Sequence, residues 1–225
     1  MRRTAALVLV LAALGCAMAR PPRSPVTAEA HNDLGVACFE RGDLRRALAE
    51  FERAAALRPD WTRALVNLGD ARLGLGDVSG AIEAYRRAVA SAPDDAGAAN
   101  NLAWALLQDP ARWPEAESII DGALARHPEP RGYYLDTLGA LRLRKGDNQG
   151  ALSAFREALA DEGLREGGAR ALVLEHAAEA LARLGDRAAS ARCRTLAEAE
   201  RGRSGSALAA TRGAASSVGG QGSVC

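Results

Sequence analysis

The sequence predicts an all-α fold, a solenoid of about five helical hairpins. Three observations predict it. First, 48% of the 225 residues are apolar but only 4% aromatic, so alanine and leucine carry the apolar fraction. That composition favours close-packed helices over strands, which prefer β-branched and aromatic side chains. Second, the chain falls into register with itself at a shift of 34 residues: HNDLGVACFERGDLRRALAEFERAAALRPD from His31 matches LVNLGDARLGLGDVSGAIEAYRRAVASAPD from Leu65. Third, the pairs Gly42-Asp43, Gly76-Asp77, Gly146-Asp147 and Gly185-Asp186 recur between apolar runs. A glycine closes one helix in a left-handed conformation, and the aspartate caps the next.

Residues 1–15 read as a targeting segment. Arg2 and Arg3 form a basic start, and Thr4 to Gly15 is an apolar run of 12 residues. A bilayer-spanning helix needs roughly 20, so the run suits a signal peptide. Ala13-Leu14-Gly15-Cys16 resembles a bacterial lipobox, in which Cys16 takes a diacylglycerol and becomes the N-terminus. Ala17-Met18-Ala19 is a competing A-x-A site, cut before Arg20. An uncleaved anchor is the third reading. Residues 16–27 contain the three prolines of RPPRSP and read as a semi-rigid tether. Fully extended, it reaches about 35 Å at roughly 3.3 Å per residue.

Four registered repeats follow, at 28–61, 62–95, 96–131 and 132–165, with a degenerate fifth hairpin at 169–201. Leu34-Gly35, Leu68-Gly69, Leu102-Ala103 and Leu138-Gly139 fill positions seven and eight. Position 20 is Ala47, Ala81, Ala116 and Ala151; position 24 is Phe51, Tyr85, Ile120 and Phe155; position 27 is Ala54, Ala88, Ala123 and Ala158. Pro59, Pro93 and Pro128 stand at position 32, with Gly163 in the fourth repeat. Small residues at 8, 20 and 27 let helix axes approach, the large residue at 24 fills the gap, and proline stops the second helix. The third inner turn departs: it reads QDPARWP, with Trp113 inside it and Pro114 suited to the next helix's first turn. The fifth hairpin has Ser190 and Arg194 at positions 20 and 24, as a solvating cap would. Residues 202–225 are rich in Gly, Ser and Ala and read as a disordered tail.

These landmarks resemble the tetratricopeptide-repeat (TPR) family, over about three-quarters of the chain. The resemblance implies a right-handed α-α superhelix over 28–201 that binds a polypeptide without catalysing a reaction. It also implies that the first helix of each pair faces a concave groove. Matched to this sequence, the groove positions are Asn32, Val36, Phe39, Arg63, Val66, Asn67, Asp70, Leu73, Asn100, Asn101, Trp104, Leu107, Tyr133, Asp136, Thr137 and Leu143. Asn67 and Asn101 share one repeat position, and an amide there can pair with extended peptide backbone; a solvated amide is the other reading. Trp104 stands where the groove would be deepest, as a hot spot or as a packing residue. The lysines and arginines of the family's carboxylate clamp are missing, since Asn32, Val36, Gly97 and Asn101 occupy those places.

Chemistry is not legible elsewhere. Net charge is +1, and without residues 1–15 the balance is 27 basic to 28 acidic, which leaves no footprint for nucleic acid. Lys145 is the one lysine. His31, His127 and His176 lack metal spacing, and no CxxC, nucleophile elbow or phosphate loop appears. Cys38 reads as a small core residue, Cys193 as too distant to bridge it, and Cys225 as free to pair with another molecule. Asp94-Asp95 and Asp161-Glu162 sit at repeat boundaries, where acids favour helix starts.

The expectation is a non-enzymatic scaffold with no cofactor and no small-molecule substrate. It would be exported, lipid-anchored through Cys16 and periplasmic. Ala17 after Cys16, in place of a retaining aspartate, points to the outer membrane. Proteins of this layout assist the assembly of pili and secretion pores or recruit peptidoglycan enzymes. A soluble periplasmic adaptor is the alternative, and an enzyme accessory subunit the third choice.

Overall fold

The computed structural model describes residues 26–126, 131–164 and 168–210, the last seven of them as backbone only. Ten helices run in sequence: α1 Ala28–Glu40, α2 Leu44–Leu57, α3 Thr62–Gly74, α4 Val78–Ser91, α5 Ala96–Leu106, α6 Trp113–Arg126, α7 Gly132–Arg144, α8 Asn148–Ala160, α9 Gly168–Arg183 and α10 Arg187–Ala210. No strand occurs among the described residues. Consecutive helices pair as antiparallel hairpins, and each hairpin stacks on the next. This is the predicted all-α solenoid.

Local chemistry sets the hairpins. Gly42, Gly76, Gly146 and Gly185 hold φ between +79° and +88°, a conformation costly for any residue with a Cβ. The aspartate after each glycine donates its N–H back across the turn, to Cys38, Arg72, Arg142 and Leu181 at 2.9–3.0 Å. Its carboxylate caps the second helix, as Asp77 does for Gly80 N–H at 2.9 Å and Asp147 for Gly150 at 2.8 Å. The third turn uses other means. Asp109 caps a short 3-10 turn at Pro110–Arg112, and the Trp113 indole N–H donates to the Leu107 carbonyl at 3.2 Å. Asp161 serves a repeat boundary, accepting from the Arg131 and Gly132 N–H groups at 2.7 and 3.1 Å.

Positions 20, 24 and 27 are at most 2% exposed in all four good repeats. The aromatic rings at position 24 lie against bare glycines: Phe51 on Gly35, Tyr85 on Gly69 and Phe155 on Gly139. In each case a methyl group on the glycine would overlap the ring. The third repeat pairs the smaller Ile120 with Ala103, and both are fully buried.

The two ends differ. In repeats two and four, positions 21, 24 and 28 lie under the next hairpin, as Ile82, Tyr85, Val89 and Leu152, Phe155, Leu159. The matching residues of α10 are Ala191, Arg194 and Glu198, all exposed, so the fifth hairpin closes the stack with a polar face. At the other end Leu34 is 40% exposed, whereas its counterparts Leu68, Leu102 and Leu138 are buried under a preceding hairpin.

One expected boundary is corrected. The composition places the tail from residue 202, but α10 continues to Ala210. Extending an existing helix adds a backbone hydrogen bond per residue without a new nucleus, and this carries the helix through Gly202, Ser204 and Gly205 to the alanines at 207, 209 and 210. Residues 211–225, Cys225, His127, Pro128, Cys16 and the segment before Val26 lie outside the described residues.

Candidate functional site

The first helices touch in series, α1 with α3, α3 with α5, α5 with α7 and α7 with α9, while the second helices stand further apart. The first helices therefore form the inner, concave layer. A row of polar contacts crosses that layer from one hairpin to the next. Asn67 Nδ2 donates to Asn32 Oδ1 at 2.8 Å. Thr137 Oγ1 donates to Asn100 Oδ1 at 2.8 Å. His176 Nδ1 lies 2.7 Å from Asp136 Oδ1. In each pair, position six of one repeat meets position five of the repeat before. Val66 holds position five of the second repeat and offers no such partner, so Asn101 Nδ2 turns to Asp70 Oδ1 at 3.4 Å. Asp70 also accepts from the Tyr85 hydroxyl at 2.6 Å.

Burial governs the titrating groups. It pushes Asp70 above the usual carboxylate range, with the Tyr85 hydrogen bond acting against it. Burial and the Asp70 charge push the Tyr85 hydroxyl well up. For His176 burial opposes the charged form, but the hydrogen bond and charge of Asp136, with the charge of Glu179, outweigh it and Arg144; its pKa lies above the ordinary histidine value. Partial burial lowers the Arg144 pKa, with the Glu179 charge acting against that.

Trp104 is half-buried at the centre of the face. The His176 imidazole stacks on it with centroids 5.8 Å apart, and the Arg144 guanidinium stands 5.5 Å from its ring centre. Phe155 meets the same imidazole at 5.6 Å.

The predicted groove residues divide by accessibility. Phe39, Arg63 and Tyr133 are exposed, and Val36, Val66, Asn67, Asp70, Leu73, Asn100, Asn101 and Trp104 are partly exposed. Four expected members and Thr137 are corrected: Asn32, Leu107, Asp136, Thr137 and Leu143 are at most 8% exposed. Leu107 caps α5 and packs into the core with Ile120, and Leu143 packs with Phe155 and Leu181 under the fifth hairpin. Asn32, Asp136 and Thr137 are covered by their hydrogen-bond partners. Asn67 and Asn101, expected to offer their amides to a peptide, each commit an N–H to the neighbouring repeat. Their Oδ1 atoms and second N–H groups are what a ligand could use.

His176 belongs to this face, although sequence reasoning set it aside. The signal was present: His176, Thr137 and Asn67 each stand nine residues before an inner-turn glycine, Gly185, Gly146 and Gly76. Among the described residues no cluster suits a metal ion, and no helix is long and apolar enough to cross a membrane. Cys38 is a buried free thiol, as expected.

Family models for the tetratricopeptide repeat match residues 28–61 and 66–129, the same hairpins whose landmark residues fill the core. This is a tetratricopeptide-repeat protein. No curated protein matches the chain. Solved structures resemble this TPR stack. One is a thermophilic TPR protein from Thermus thermophilus, 24% identical with a TM-score of 0.68 over 81% of this chain and 100% of that one. A second is PilW, a widely conserved type IV pilus biogenesis factor, 21% identical with a TM-score of 0.64 over 76% of this chain and 77% of that one. A third is PilF of Pseudomonas aeruginosa, 22% identical with a TM-score of 0.61 over 77% and 76%. At these identities the likeness shows the fold. The TPR fold makes the chain a protein-interaction scaffold.

Proposed function

We propose that this TPR protein is a non-catalytic adaptor of the bacterial cell envelope that holds a polypeptide on its concave face. The observation that carries the reading is Trp104, a large aromatic side chain left partly open at the middle of the inner layer. A partly exposed tryptophan beside a cation and an imidazole is the residue type most enriched among binding hot spots. Export is supported by the leader at residues 1–15, and anchoring by Cys16 after a small residue. The likeness to a type IV pilus biogenesis factor makes pilus or secretion assembly the first place to seek a partner.

Two measurements test this. Envelope extracts are passed over the wild-type domain and over Trp104→Ala, with thermal melting to check that the variant folds. A protein retained by wild type and lost with Trp104→Ala supports the groove; equal retention by both sinks it. Intact-mass spectrometry of the membrane fraction from a Gram-negative host tests the anchor. A species beginning at acylated Cys16 supports it, and a soluble species beginning at Arg20 makes the protein a diffusible periplasmic adaptor.

A further inference from the structure

Arg144 ends α7 on the concave side, its guanidinium standing over the Trp104 ring. Among the described residues no carboxylate lies within ion-pair distance of it. The other charges in this part of the face are matched. Asp136 faces His176 at 2.7 Å, and Glu179 pairs with Arg183 at 2.5 Å. Asp70, in the second repeat, accepts from Tyr85 and Asn101. Arg142, in the same last turn, already donates to the Gly150 carbonyl at 3.1 Å. Arg144 is thus an exposed cation beside an aromatic side chain and, among the described residues, forms no ion pair, although the Glu179 carboxylate, held by Arg183, is near enough to favour its charge. A guanidinium in that state suits a carboxylate, which accepts two parallel N–H bonds. The nearest acids, Asp136 and Glu179, are paired with His176 and Arg183, which lessens their repulsion of such a ligand.

We infer that Arg144 and Trp104 form a recognition subsite for an acidic side chain, glutamate or aspartate, within the polypeptide that this face binds. The inference rests on the groove reading above. It differs from the family's carboxylate clamp, whose basic positions are filled here by Asn32, Val36, Gly97 and Asn101. The part of Trp104 left open beside His176 and Arg144 packs the apolar stem of the acidic residue or its neighbour, and the guanidinium takes the charge. The inner helices α7 and α9 also expose Tyr133 and Leu172 near their starts, so the face offers apolar contacts apart from this subsite, and an internal residue of the ligand is the one proposed to reach it.

The test uses fluorescein-labelled decapeptides of alanine, leucine and glutamine, blocked at both ends, with a central Glu or a central Gln. A third peptide has the central Gln and a free C-terminus. Anisotropy titrations are run on the full domain, on Arg144→Gln and on Trp104→Ala, each checked by thermal melting. The expected result is that the Glu peptide binds wild type about tenfold more tightly than the Gln peptide, or about 1.4 kcal/mol, and that Arg144→Gln erases the difference. Raised salt should weaken the Glu peptide alone. A Glu preference that survives Arg144→Gln overturns the inference. So does a free C-terminus that binds as tightly as the internal Glu. If Glu and Gln peptides bind alike and Trp104→Ala releases both, the groove stands and the carboxylate subsite falls. If no peptide binds wild type, the carboxylate subsite falls, while the groove reading stands or falls with the retention of an envelope protein by wild type and not by Trp104→Ala.

Discussion

The imidazole of His176 bridges two neighbours at once: its Nδ1 lies 2.7 Å from Asp136 Oδ1, and its ring stacks on Trp104 at 5.8 Å. One side chain of the fifth hairpin thereby ties down the fourth and the third. Its pKa is raised in the folded protein: burial alone would lower it, but Asp136 and Glu179 prevail. The folded state therefore binds this proton more tightly than the unfolded chain. The stabilisation is fully present below about pH 6.5, the unfolded value, and is lost as pH rises through the folded pKa. Urea midpoints from pH 5 to 9 should fall for wild type and fall less for His176→Gln. Asp70, whose pKa burial raises, adds a slope of the same sign at lower pH, so the difference between the two proteins is what is read. Parallel curves would remove His176 from the account.

Tyr85 donates to Asp70 at 2.6 Å beneath the concave face. Tyr85→Phe leaves a largely buried carboxylate without that donor, at a cost of about 1–3 kcal/mol near neutral pH. The cost should shrink as pH falls and Asp70 takes a proton, because the hydroxyl favours the charged form. Chemical denaturation of both proteins at pH 7 and pH 4 checks it. A loss that is the same at both values would show that packing, not the hydrogen bond, was removed.

Gly139 lies under the Phe155 ring with no room for a methyl group. Gly139→Ala should destabilise by about 1–3 kcal/mol through overpacking, despite alanine's better helix propensity. The third repeat already contains the compensated pair, Ala103 with Ile120. Adding Phe155→Ile to Gly139→Ala should therefore recover part of the loss. A double-mutant cycle with no coupling would contradict that pairing.

Ala191, Arg194 and Glu198 form the polar outer face of α10. Replacing them with leucine, phenylalanine and leucine rebuilds the surface that repeats two and four hide under a next hairpin. The triple variant should associate in a concentration-dependent way that its parent does not, seen by sedimentation velocity. An unchanged profile would show that this face is not what closes the stack.

The repeats were legible because their signals are local and stereochemical. A Gly-Asp pair fixes a turn wherever it falls, and a small residue at position 20 or 27 reports a close approach of helices. The lining of the groove was less legible. Position lists put Leu107 and Leu143 on the surface, yet each packs into the core beside an atypical neighbour: the lengthened third turn for one, the fifth hairpin for the other. Asn67 and Asn101 read as groove residues from their shared repeat position, but their hydrogen-bond partners, Asn32 and Asp70, come from the preceding repeat and leave no local signal. His176 escapes because a lone histidine without metal-ligand spacing carries no signal of its own, although the count that puts Ser190 at position 20 also puts His176 at position six.

The two ways of filling the hairpin core bear on how such a chain can be rearranged. Phe51, Tyr85 and Phe155 each need a glycine on the partner helix, and Ile120 is matched to an alanine. The match lies within a hairpin, between helices joined by one short turn. Copying or exchanging whole hairpins preserves it, whereas a crossover inside the turn sets a ring against a methyl group or leaves a void. The hairpin, not the helix, is therefore the unit in which this sequence can be duplicated, deleted or recombined.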